Sequence, residues 1–198
     1  MTDLLVILDR QHTGKPGRPQ DTGGHSSFSD LSEARMVQKY LAAAEWSLRR
    51  GGASVIPLSD GAYHDRHTRA RRYASRSALS IYVAGHLNAG GGDYGAVFHD
   101  HRSVAGASAS ELVSRALHAA CPELDGTKVI PARLGHWTTN AYYTIRGVYS
   151  GRPCGICYEP AFMDNLDHAP LMTDEGLERI GTSLAKGIFD WAESVGSK

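Results

Sequence analysis

The stretch LLVILDRQHTGKPGRPQDTGG, residues 4–24, decides the fold. Leu4 to Leu8 are apolar without interruption, as in a short strand covered on both faces. The run ends on Asp9-Arg10-Gln11-His12, after which the chain turns to Gly, Pro and charge. His12 is therefore expected at the lip of a loop, just past the carboxyl end of a buried strand.

Outward from that strand, apolar runs alternate with helical patterns. Residues 31–50 predict a helix, with Ala34, Val37, Leu41, Ala44 and Leu48 on one face and Gly51-Gly52 as its stop. Residues 53–58 read as a strand in which Pro57 suggests an edge or a strand end. An Arg- and Ala-rich helix follows at 66–77, then strands at 79–84 and 94–98. A helix at 107–120 would turn Leu112, Ala116 and Ala119 inward. Short strands are expected at 127–132 and within 141–149, and a further strand at 153–158. The closing helix, 173–194, carries Leu177, Ile180, Leu184, Ile188 and Trp191 on one stripe. With no linker or internal repeat, the whole chain, 1–198, reads as a single α/β domain. Its expected architecture is a twisted, mostly parallel (mixed) sheet of about six strands flanked by helices.

The chain's 198 residues include 21 basic and 21 acidic ones, and this balance argues against a broad nucleic-acid or anionic-membrane footprint. Three cysteines make no disulfide framework and suit a reducing compartment. No apolar run is long enough for stable membrane insertion, and Asp3 stands where a signal peptide would be basic. The expectation is synthesis in the cytoplasm without a signal peptide.

Ten histidines raise the chance of a metal site. His12 follows strand 4–8, His86 follows strand 79–84, and Glu159 ends the strand at 153–158. Three strands thus deliver titratable groups to the sheet edge where open α/β sheets bind ligands. Glu33, in the first turn of the helix after the His12 loop, can point back to the same edge. Two imidazoles and a carboxylate form a known catalytic zinc set with one position open, and a further carboxylate can serve as base. Plainer readings stand beside each residue. His12 could be an ordinary loop histidine, His86 the start of the Gly-rich turn, and Glu159 a solvated strand end. Asp30-Leu-Ser-Glu33 has capping-box spacing, and on sequence alone that reading outranks a ligand role for Glu33.

With these residues in order, the chain resembles the zinc-dependent N-acetylmuramoyl-L-alanine amidases of the amidase-3 type along nearly its whole length. Asp9-Arg10-Gln11-His12-Thr13-Gly14 and Asp21-Thr22-Gly23 match the family's Asp-x-Gly-His-Gly-Gly and Asp-x-Gly. Glu33 in SEARMVQKYLAAA, His86 and Asn88 in AGHLNA, the strand YGAVF, and Glu159, Phe162 and Asn165 in CYEPAFMDN follow in register. Gln11, Thr13, Ala84, Ala161 and the inserted KPGRPQ depart from the pattern, and the loop 13–29 could reshape the cleft. The resemblance implies one Zn²⁺ held by His12, Glu33 and His86, with Glu159 as general base and then general acid. The implied reaction is cleavage of the amide between N-acetylmuramic acid and L-alanine in peptidoglycan. Peptidoglycan is the implied partner and a monomer is expected. For a wall amidase read without a leader, the expectations are a phage endolysin released through a membrane hole, an effector handed over by an injection-system delivery partner, or a trimmed chain. Two rival readings stay open: another zinc amidohydrolase or carboxypeptidase-like peptidase, and a zinc-containing domain that binds the wall without cutting it.

Other features read as structural. Cys154 and Cys157 would fall on opposite faces of one strand as buried thiols. Arg66, Arg69, Arg71, Arg72 and Arg76 read as a solvated helix face, and His99-Asp100-His101 as a surface turn. Tyr143 is expected to pack, while His136, Trp137 and Tyr142 are open between packing and lining a groove.

Overall fold

The computed structural model describes residues 3–12, 17, 21–148 and 153–196. Its strands are β1 (Leu4–Arg10), β2 (Ser54–Leu58), β3 (Leu79–Gly85), β4 (Tyr94–Asp100), β5 (Gly126–Ala132) and β6 (Cys154–Glu159). Its helices are α1 (Glu33–Arg50), α2 (Tyr63–Ala74), α3 (Val104–Ala120), α4 (Thr139–Ile145) and α5 (Asp174–Gly196), with 3-10 turns at Arg146–Val148 and Leu166–Met172. The strands form one sheet in the order β2-β1-β3-β6-β4-β5. The first four positions are mutually parallel, β4 runs antiparallel to β6, and β5 follows β4. This is the mixed α/β sheet that the alternation of runs predicts.

The sheet is covered on both faces. Val6, Leu8, Ile81, Val83, Ile156 and Tyr158 point into a core shared with α1, α3 and α5. Leu5, Ile7, Tyr82, Ala84 and Cys157 point to the other face, under α2 and α4. Double cover explains why β1, β3 and β6 read as mainly apolar runs rather than as an apolar–polar alternation. The α1 face and the α5 stripe are buried as expected, with α5 packed between α1 and α3. Cys154 and Cys157 fall in the two different cores, and burial pushes the Cys154 thiol up to about 12. Both outer strands carry a proline, Pro57 in β2 and Pro131 in β5.

Four expectations are corrected. The strand expected within 141–149 is α4 with its 3-10 extension, and residue 149 lies outside the described residues. The β-favouring Thr139, Tyr142, Tyr143 and Thr144 hide a helix whose Ala141, Thr144 and Ile145 pack under the sheet. In α3 the inward residues are Val113, Ala116 and Leu117, while Leu112 is half-buried and Ala119 exposed. Arg66 is fully buried, not solvated, although Arg71, Arg72 and Arg76 are exposed. His99 is also buried, with Nδ1 donating to the Asp100 carbonyl at 2.9 Å.

Candidate active site

β1, β3 and β6 are parallel neighbours or next-neighbours, so their carboxyl ends share one edge. His12, His86 and Glu159 all reach that edge and line one cleft of about 500 Å³, with Glu33 beside them. Of the expected loop 13–29, residues 13–16 and 18–20 lie outside the described residues.

His12 leaves β1 with φ +60°, a left-handed conformation that is uncommon outside glycine. Its Nδ1 donates to Asp21 Oδ1 at 3.1 Å, which leaves the Nε2 lone pair for the cleft. Asp21 also accepts from the Gly23 N–H at 3.0 Å, which holds its carboxylate in place.

Glu33 is the first residue of α1, but it caps nothing. The N-cap is Ser32, with no side-chain cap bond. Instead, the Glu33 and Ala34 N–H groups donate to the carbonyls of Gly24 and Thr22 at 2.8 and 3.0 Å. Loop carbonyls thus satisfy the helix start and release the carboxylate toward the histidines. Glu33 Oε1 accepts from the Leu87 N–H at 3.1 Å, and Oε2 from the Gly24 N–H at 3.0 Å. Burial alone would raise its pKa, but hydrogen bonds and charge from His12 and His86 win and hold it well below the usual carboxylate range.

His86 follows β3, and its backbone N–H donates to Tyr158 of β6 at 2.9 Å. The Tyr40 hydroxyl donates to the His86 carbonyl at 3.0 Å, fixing it from α1. Three donor atoms then converge. His12 Nε2, His86 Nδ1 and Glu33 Oε1 are separated by 3.1 Å (His12–His86), 3.1 Å (His12–Glu33) and 3.0 Å (His86–Glu33). Bonds of about 2.0–2.1 Å to a tetrahedral ion would set its ligands about 3.3 Å apart. Two imidazole nitrogens and a buried carboxylate oxygen therefore fit a divalent cation by spacing and by chemistry. This is the one group with such spacing among the described residues.

Glu159 ends β6 at the floor of the same cleft. Burial raises its pKa, the Glu33 carboxylate adds to the rise, and the charges of His86 and His12 oppose it. The Cys157 thiol lies 3.7 Å from Glu159 Oε1. Phe162 and Asn165 are structural: Phe162 packs edge-on against Tyr94 at 5.0 Å, and Asn165 Nδ2 donates to the Gly92 carbonyl at 2.8 Å.

Beneath His12 lies a buried network that no short-range signal announces. Arg66 of α2 pairs with Asp9 of β1, both fully buried, and Tyr82 of β3 donates to the second Asp9 oxygen. Gln11 Nε2 joins that oxygen at 2.6 Å, and Arg66 also donates to the Arg10 carbonyl at 3.1 Å. The network pins the strand end from which His12 departs. Tyr143, expected to pack, lines the cleft with Tyr63, Phe98 and Trp137. No residue spacing links these positions in the sequence. They meet only because α4 folds back over the sheet edge.

No protein-family model matches the chain, and no curated protein matches it by sequence. Solved structures do share its fold. The N-acetylmuramoyl-L-alanine amidase AmiC2 of Nostoc punctiforme superposes with a TM-score of 0.75 at 18% identity, over 96% of this chain and 98% of that one. An N-acetylmuramoyl-L-alanine amidase from Clostridium difficile 630 gives 0.76 at 15% identity, over 98% and 99%. The catalytic domain of the amidase CwlV from Bacillus (Paenibacillus) polymyxa gives 0.71 at 15%, over 96% and 98%. At these identities the likeness is one of fold. No helix among the described residues is long and apolar enough to cross a membrane.

Proposed function

We propose that the chain is a single catalytic domain that hydrolyses the amide between N-acetylmuramic acid and L-alanine in peptidoglycan, with Zn²⁺ held by His12, Glu33 and His86. The observation that carries this reading is the donor triangle, with sides of 3.0–3.1 Å, beside a carboxylate of raised pKa in one cleft. The shared fold with three N-acetylmuramoyl-L-alanine amidases supports the substrate.

When bound, zinc supplies Lewis-acid polarisation of the scissile carbonyl and lowers the pKa of the attacking water. Glu159 takes one proton from that water as its oxygen adds to the carbonyl carbon. A carboxylate of raised pKa both accepts the proton and releases it again, here to the departing amine as the C–N bond breaks. The acid on the muramic side and the free amino terminus of L-alanine are the products. Asp21 holds the His12 tautomer, and the Leu87 and Gly24 N–H groups hold Glu33.

Digestion of purified peptidoglycan by zinc-loaded protein, read by mass spectrometry, tests the proposal. Soluble stem peptides beginning with L-alanine, lost on chelation, are expected at one zinc per chain. Zinc bound at that stoichiometry with no new amino termini would leave a wall-binding domain or a different amide substrate.

Gly23 gives a second test. Its φ is +68°, and a Cβ there would meet Glu33 Oε2 and approach Glu33 Cβ and Cδ to 2.9 Å. Gly23→Ala should therefore displace the carboxylate and weaken zinc binding about 10–100-fold, as loss of supporting contacts around a metal does. Competition against a chelator measures it, and an unchanged affinity would mean that the methyl does not displace the carboxylate.

A further inference from the structure

We propose that Trp137, with Tyr143 and Tyr63, forms a sugar-stacking subsite that takes a neutral N-acetylated glycan chain rather than the peptide stem. The inference rests on the amidase reading for its substrate, but the surface itself is independent of the metal. Trp137 is 64% exposed at the cleft rim, although the lining residues Leu87 and Phe98 are buried. Its ring is braced edge-on by Phe98 at 6.1 Å and 72°, and Phe98 is only 3% exposed. A rigid backing with the indole left open to solvent presents a flat face to a ligand. Tyr143 is steadied by the Arg146 guanidinium 4.6 Å from its ring, and the Tyr63 ring is parallel to His67 within 13°.

The polar lining selects among ligands. Beyond the triad and Glu159, the described lining residues with polar side chains are Asn88, Asn140, Thr138, Thr144 and the two tyrosines. No lysine or arginine is among the described lining residues. The described lining residues thus supply no cationic side chain to pair with the carboxylates of a stem peptide. Amides and hydroxyls beside aromatic faces do match hydroxyl and acetamido groups on a pyranose, whose C–H face can lie on an indole.

The probe is a β-1,4-linked N-acetylglucosamine tetramer, which carries neither peptide nor scissile amide. Binding is measured by NMR titration on zinc-loaded wild type, Trp137→Ala, Trp137→Phe and Tyr143→Ala. Saturable binding is expected, weakened at least tenfold by Trp137→Ala, about threefold by Tyr143→Ala, and largely retained by Trp137→Phe. On peptidoglycan, Trp137→Ala should raise KM about tenfold with little change in kcat. No tetramer binding, or equal binding by wild type and Trp137→Ala, overturns the subsite, and if wild type still cuts peptidoglycan the amidase reading survives. Trp137-dependent tetramer binding without any peptidoglycan cleavage has the opposite meaning: the subsite stands and the amidase reading falls. Circular dichroism on each variant separates lost binding from lost folding.

Discussion

Glu159→Gln is expected to lower hydrolysis of peptidoglycan by about 10²–10⁴-fold, the usual contribution of a positioned acid–base group, while one zinc per chain is retained. The same substitution should raise the thermal midpoint of the zinc-free protein at neutral pH. Burial raises the Glu159 pKa in the fold, so the native state holds that proton more tightly than the unfolded chain does. The favourable contribution of the protonated acid is complete below the unfolded value, about 4.3. It is lost as pH rises through the higher folded value. Glutamine does not titrate, so the gap between variant and wild type should be absent at pH 4 and open at pH 7.5. Calorimetry in chelator at both pH values measures it. Full activity in the variant would remove Glu159 from the chemistry, and equal midpoints at both pH values would remove the desolvated carboxylate.

Arg66→Met should be among the most destabilising single changes in the molecule. It leaves the Asp9 carboxylate buried without its cation, a loss of about 3–5 kcal/mol for broken buried pairs. For a chain of this size that corresponds to a drop in thermal midpoint of roughly 6–20 °C. The double variant Asp9→Asn/Arg66→Met should be less destabilised than the sum of its single changes, because no unpaired charge remains. Zinc affinity should fall with Arg66→Met, because Arg66 also holds the Arg10 carbonyl two residues before His12. Strict additivity in the cycle would mean that the two side chains are not coupled.

The sequence made the site easier to read than its supports. Each of His12, His86 and Glu159 follows a continuous apolar run, and parallel strands covered on both faces write themselves as such runs. Their shared edge could be inferred before any contact was known. Glu33 was harder, because a first-turn Glu serves a helix start equally well. Only the Gly24 and Thr22 carbonyls, which take the helix N–H groups, decide the matter. Arg66 was misread for a related reason. It stands in an Arg-rich helix, and its partner lies 57 residues away in β1. Burial of one arginine among several is set by the docking of α2 on the sheet, not by local pattern. The seven-residue α4 was hidden by β-favouring residues, and with it the aromatic side of the cleft.

The prolines of the two outer strands bear on how the molecule behaves in company. A sheet with open margins can recruit a foreign strand, and so grow from molecule to molecule. Pro57 interrupts the row of donors along β2, and Pro131 does the same along β5. A proline is tolerated in an edge strand because its missing N–H falls on the solvent side. A strand arriving at either margin would find a broken ladder. The sheet is thereby finite by construction, and many copies can crowd together without zipping into each other.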